Sequence, residues 1–131
     1  MDFGPALIFF CSLADNIQES FGLTPIEVMA AELSVAASDW DGYRDTVRDG
    51  VDGYLIPTLA PRKGLGEDLA YIYFSRQATY GDYLGTVQQS TAVDIDALTD
   101  ALKRLIENPN LHRTMGAVGK GRANENLPGQ K

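Results

Sequence analysis

Two carboxylates, Glu19 and Glu27, stand eight positions apart across a turn and the start of a helix. Thr24, Pro25 and Glu27 form a capping box, in which the Thr24 hydroxyl accepts from the Glu27 backbone N–H and the Glu27 carboxylate accepts from that of Thr24. Pro25 then fills the first helical position, where no donor is lost, and the helix begins there. The backbone N–H groups of Phe21, Gly22 and Leu23 would point, with the positive end of that helix, at whatever sits above the preceding strand. Such a place attracts an anion, most often phosphate. With Glu19 on the loop side and Glu27 in the first turn, the two carboxylates could bracket a ligand with a diphosphate middle and polyhydroxylated ends, the shape of a nucleotide sugar. The same spacing admits a plainer reading: Glu27 as a helix cap worth about 1 kcal/mol and Glu19 as a solvated loop charge.

The elements that must position these residues follow from periodicity. Ala6-Leu7-Ile8-Phe9-Phe10-Cys11 is apolar on both faces, as central parallel strands are. Residues 12–18 form the loop at its carboxyl end, the edge of an open α/β sheet where ligands bind. Ile26, Met29, Ala30 and Leu33 give the following helix, to about Leu33, one apolar face. Ser34–Ser38 reads as a second strand, Tyr43–Arg48 as a short helix stopped by Asp49-Gly50, and Tyr54–Ile56 as a third strand closed by Pro57. This alternation predicts an α/β fold with a parallel sheet and right-handed crossovers.

The chain has 131 residues, enough for one core and one domain. Asp and Glu outnumber Lys and Arg by 18 to 11, for a net charge of −7, which disfavours nonspecific binding to nucleic acid or to an anionic membrane. The lone cysteine, Cys11, has no intramolecular disulfide partner and reads as a reduced core thiol, which fits a reducing cytosol. The apolar opening is too short to span a bilayer and lacks the basic flank of a secretion signal. No internal repeat or low-complexity tract is visible.

Beyond Pro57, residues 58–66 are a Pro/Gly-bearing loop whose Arg62 and Lys63 either approach a phosphate or are solvated. Residues 67–74 and 80–89 read as helices, the second with Tyr80, Tyr83, Leu84 and Val87 at helical spacing, a pattern more often core than ligand platform. Asp94 caps a helix striped by Ile95, Leu98, Leu102 and Leu105. Asn108-Pro109 separates it from another carrying Leu111, Met115 and Val118. The polar stretch 124–131 is expected to fray. His112 has no ligand-spaced Cys, Asp or Glu around it that would make it a metal or catalytic residue. Trp40, at a strand's carboxyl end, is either a core residue or a wall of the ligand pocket.

The run from Asp15 to Ala31 resembles the E-x7-E signature of retaining glycosyltransferases with two Rossmann-like domains, glycosyltransferase family 4 or glycosyl transferases group 1. The resemblance continues from Ser38 to Pro57 and returns at Ala101–Leu105, Asn108-Pro109 and Met115-Gly116. It implies a partial Rossmann-like parallel sheet with flanking helices and a helical C-terminal region: residues 1–123 as part of a C-terminal donor-binding domain, and 124–131 as tail. It implies that Glu19 holds the donor sugar hydroxyls, that Phe21, Gly22, Leu23 and Thr24 meet sugar and diphosphate, and that Glu27 binds the ribose. Sugar transfer would run from a nucleotide-diphosphate donor to a sugar, lipid or other hydroxyl acceptor, with retention and without a metal, because helix dipole and basic side chains neutralise the leaving group. The family places further βα units and those basic residues upstream, so the chain is expected to be a fragment that lacks an N-terminal domain and is inactive alone. A non-catalytic remnant or a nucleotide-sugar-binding module needing a partner chain is the alternative; an epimerase on the same two-domain plan fits the signature less well. The resemblance also carries one departure. Where the family has glycine in the left-handed position that closes the signature helix, this chain has Glu32, at a cost of roughly 1 kcal/mol or more.

Overall fold

A computed structural model describes residues 9–12, 23–59, 64 and 66–126. Three parallel strands, β1 (Phe9–Ser12), β2 (Ser34–Ser38) and β3 (Gly53–Ile56), pair in that order, with Phe9 opposite Ser34 and Val35 opposite Gly53. Helix α1 (Leu23–Ala30) connects the first two strands, and α2 (Tyr43–Thr46) the second and third. Every residue of β2 is buried, as a central strand covered on both faces requires. Its alternating side chains divide the core in two. Val35 and Ala37 pack with Met29 of α1, Tyr43, Val47 and Ala123, whereas Ala36 packs with Ile56 and Ala101.

The two long helices close these faces. Helix α5 (Ile95–Glu107) starts at the Asp94 cap, whose carboxylate accepts from Ala97 N–H at 2.9 Å, and buries Ala101 and Leu105. Helix α6 (Pro109–Asn126) opens on Pro109, where no hydrogen bond is lost. Its buried line is Met115, Gly116, Gly119 and Ala123 rather than the expected Leu111, Met115 and Val118; Val118 is 38% exposed. The small residues are there because α6 crosses the end of α1 backbone against backbone. A Cβ on Gly116 would overlap the Glu32 carbonyl, and one on Gly119 would stand 3.0 Å from Met29 Cγ. Anchored by Ala123, the helix runs on to Asn126, so residues 124–126 of the expected frayed tail are helical. Residues 127–131 lie outside the described part.

Helix α1 ends in a Schellman motif. The Leu33 N–H reaches Val28 O at 3.3 Å and the Glu32 N–H reaches Met29 O at 2.9 Å, with Glu32 itself at φ 64°. The glutamate therefore occupies the left-handed position that the sequence marked as strained. Lys120 of α6 meets its Oε2 at 2.7 Å, an exposed pair worth between about 0 and 1 kcal/mol.

A second tie is buried. Asp52, fully enclosed before β3, accepts from the Arg48 N–H at 2.7 Å, Arg48 Nε at 2.6 Å and Arg122 Nη1 at 3.3 Å, while Arg122 Nη2 donates to Asp45 O at 2.8 Å. One carboxylate thus joins the end of α2, the entry to β3 and α6.

The expected loop at 58–66 begins instead with a strand. β4 (Thr58–Leu59) pairs antiparallel with β5 (Ala92–Val93), and between them stand α3 (Glu67–Phe74) and α4 (Tyr80–Gln88). α4 carries its own capping box: Thr79 Oγ1 accepts from Asp82 N–H, and the Asp82 carboxylate accepts from Thr79 N–H. Among the described residues no helix is long and apolar enough to cross a membrane.

The α1–α6 crossing makes a direct prediction. Gly116→Ala should destabilise the chain by about 1–3 kcal/mol in urea unfolding, because the added methyl has only backbone to push against. An unchanged midpoint would show that the two helices do not approach this closely in solution.

Candidate functional site

The carboxyl edge of the sheet gathers the residues that chemistry would use. β1 ends at Ser12, and the chain re-enters at α1, which begins at Leu23, two residues before the expected Pro25. Thr24 is therefore helical rather than the cap, and among the described residues no hydrogen bond joins it to Glu27. Pro25 at the third helical position still costs no intrahelical bond, since the first turn's N–H groups have no partners within the helix. The earlier start also moves Glu27 out of the first turn, where the sequence placed it, to the fifth of eight helical positions; its carboxylate is exposed, with no hydrogen bond or ion pair among the described residues. Glu19, Phe21 and Gly22 lie outside the described residues.

The next strand contributes polar atoms that the motif did not single out. Ser38, the last residue of β2, is 0% exposed, and neither its Oγ nor the buried Nε1 of Trp40 has a hydrogen-bond partner among the described residues. A buried unpaired hydroxyl or indole N–H costs about 1–3 kcal/mol, so two side by side at a ligand edge need a reason. The backbone around them is held firmly. Asp39 N–H donates to Ile56 O at 2.7 Å, Trp40 N–H to Ser38 O at 2.8 Å and Tyr43 N–H to Trp40 O at 3.0 Å, with Asp41 at φ 33° in the turn. Arg44 closes the same loop, its Nε donating to Asp39 Oδ1 at 2.6 Å and its Nη2 to Asp39 O at 3.0 Å. Trp40 is half-buried, with its ring nitrogen inside, so it is neither a plain core residue nor a free surface ring.

The other residues weighed for chemistry lie elsewhere. His112, half-buried on α6, has its pKa held below the usual imidazole value, first by burial and then by repulsion from Arg113. Among the described residues no three His, Cys, Asp or Glu side chains are grouped to hold a metal. Tyr80 and Tyr83, expected in the core, instead cluster with Tyr73 and Phe74 on the hairpin, where α3 has no buried residue. The helical spacing was correct: Tyr83, Leu84 and Val87 are half-buried on that face, while Tyr80 at its start is 47% exposed.

Helices packed on both faces of a three-stranded parallel sheet make a Rossmann-like α/β fold. The sequence profile of the glycosyl transferases group 1 family matches residues 5–72, and the chain belongs to that family. Over 43 residues it is 49% identical to a phosphatidyl-myo-inositol mannosyltransferase of Mycobacterium tuberculosis, covering 33% of this chain and 11% of that protein. Its counterpart in Mycobacterium leprae is 51% identical over 39 residues, 30% of this chain and 10% of that protein. Among solved structures, sucrose-phosphate synthase from Thermosynechococcus elongatus superposes with a TM-score of 0.55 at 25% identity, over 88% of this chain and 20% of that one. The chain therefore spans about a tenth of the curated relatives and a fifth of the solved neighbour.

The unpaired hydroxyl gives a prediction that separates ligand chemistry from folding. Ser38→Ala should leave the stability of the free chain unchanged, or raise it by up to about 1 kcal/mol, because no internal bond is lost. A clear loss of stability would show that the hydroxyl serves the fold.

Proposed function

We propose that this chain is the donor-binding part of a retaining glycosyltransferase that moves a sugar from a nucleotide-diphosphate sugar to an acceptor hydroxyl. The observation that carries the reading is the family match over a stretch containing both signature glutamates, with Glu27 exposed midway along α1 and without a hydrogen bond or ion pair among the described residues. In this reading the diphosphate lies over the N-terminus of α1, where first-turn N–H groups without intrahelical partners and the helix dipole favour negative charge. Glu27 accepts hydrogen bonds from the ribose, and Glu19 from the donor sugar. Phe21, Gly22, Leu23 and Thr24 line the segment between them. Ser38 and Trp40 supply the donors that the fold leaves unused.

The reaction then needs little from the chain beyond positioning and charge stabilisation. The acceptor oxygen bonds to the anomeric carbon on the face that the leaving group vacates, the bond from that carbon to the diphosphate breaks, and the hydroxyl proton passes to a diphosphate oxygen. No metal is required, because the helix end and basic side chains offset the developing charge. On this reading those basic side chains come from a second Rossmann-like domain.

Trp40 is the chain's sole tryptophan, so its fluorescence reports on the site. Uridine or guanosine diphosphate should change the emission saturably, and Glu27→Ala should weaken that binding about tenfold or more, as expected for losing a charged hydrogen-bond partner. Equal affinity in the variant would remove Glu27 from the site. In a two-domain protein carrying this segment, Glu19→Ala should abolish transfer; full activity would sink the assignment.

A further inference from the structure

The α3–α4 hairpin is set apart from the rest of the molecule. It leaves the sheet at the carboxyl end of β3 through Pro57 and β4 and returns through β5, and its base is closed by Asp94 N–H donating to Pro57 O at 2.9 Å. It is thus rooted at the same edge from which α1 starts. Two helices of 8 and 9 residues are marginal on their own, and here four of their large apolar side chains face water. Phe74 is 79% exposed, Tyr71 70% and Tyr80 47%; Ile72 is the exposed aliphatic exception. Tyr73 sits at the centre of the ring cluster, 5.5 Å from Phe74, 5.8 Å from Tyr80 and 5.4 Å from Tyr83, centroid to centroid.

At the tip of the hairpin Tyr73, Phe74 and Tyr80 line an open cavity of about 600 Å³, together with Arg76, Gln77 and Asp82. That volume falls within the range of small-molecule sites. Arg76 stands in the left-handed region, φ 58°, at the end of α3, and neither its guanidinium nor the Gln77 amide has a hydrogen-bond partner among the described residues. Asp82 stays ionised, its pKa lowered first by the Thr79 hydroxyl and then by the Thr79 backbone N–H. The cavity therefore presents flat aromatic faces, one cation, one anion and an amide, with no net charge.

This chemistry selects among occupants. A hydrophobic peptide helix would call for a Leu- or Met-lined groove, and a phosphate or carboxylate for uncompensated cations. A pyranose ring has an apolar C–H face that lies on an aromatic ring and an equatorial rim of hydroxyls that planar guanidinium and amide groups can bond. We propose that the cavity at the tip of the α3–α4 hairpin binds an uncharged pyranose of the acceptor, stacked on Phe74 and Tyr80 and hydrogen-bonded by Arg76 and Gln77. That this sugar is the acceptor rests on the donor-binding reading above; the site itself rests on the rings and polar groups.

The test is amide and side-chain NMR of the chain titrated with methyl α-D-mannopyranoside and methyl α-D-glucopyranoside at millimolar concentrations, beside a separate titration with uridine and guanosine diphosphate. At least one glycoside should shift signals of residues 73–82 saturably, and Phe74→Ala and Arg76→Ala should each weaken that binding about tenfold. Both side chains are exposed, so circular dichroism and nucleotide binding at α1 should be unaffected. Nucleotide binding without any glycoside shift at 73–82 would overturn the proposal, as would variants that bind like the parent. Concentration-dependent broadening of 73–82 with a dimer in sedimentation would also overturn it, giving the face to a second copy. Glycoside shifts at 73–82 without nucleotide binding at α1 would uphold the sugar site and instead contradict the donor-binding reading.

Discussion

The backbone of α6 rests on the backbone at the end of α1, and the fold is organised around that contact. It exists because residue 116 has no side chain, and it is fixed because α1 ends abruptly in a Schellman motif with Glu32 in the left-handed conformation. The strain of a glutamate at that position, roughly 1 kcal/mol or more, is offset locally by the motif's two backbone hydrogen bonds and by Lys120 reaching across from α6. The same helix then sends Arg122 to the buried Asp52. Asp52 is fully buried and its charge is compensated by both Arg48 and Arg122, so α6 supplies one of the two cations that make its burial tolerable. α1 is therefore clamped at its carboxyl end, and Glu27, midway along it, is exposed.

That division of labour runs through the molecule. Three strands and helices α1, α2, α5 and α6 share two packed cores on either side of β2, whereas α3 contributes no buried residue. The packed part has the rigidity that a preorganised ligand edge needs. The Ser38 and Trp40 atoms left unpaired inside it are a local cost that a packed scaffold can carry. The hairpin contributes exposed chemistry rather than stability, at the same edge of the sheet.

Much of this was legible in the sequence. The Ser34–Ser38 strand, the Asp94 cap and the proline at the start of α6 are local signals, and each marks its element within a residue or two; of the apolar run at 6–11, residues 9–11 lie in β1 and 6–8 lie outside the described residues. Glu32 was legible as strain because a family glycine is replaced there. The capping box at Thr24 misled, since the same letters sit equally well inside a helix that starts two residues earlier. The true box, at Thr79 and Asp82, was present in the letters but was not singled out. The β4–β5 pair was not legible: two-residue strands have no periodicity, and their partners are separated by two helices. Ser38 and Trp40 carried no motif, because an unpaired buried atom is defined by what surrounds it in three dimensions. The tyrosines showed the right period but not how deeply each ring sits, which depends on what packs against it: Tyr83 is half-buried and Tyr80 exposed.

The central claim is that the amino end of α1 and the loop after β2 form one nucleotide-diphosphate site held in place by α6. Amide hydrogen exchange with and without saturating uridine or guanosine diphosphate tests it most directly. The account predicts slower exchange confined to the start of α1 and to residues 38–43, with α6 unchanged because it is already packed. Protection on α6 or on the hairpin instead, or no protection anywhere with either nucleotide, would contradict it.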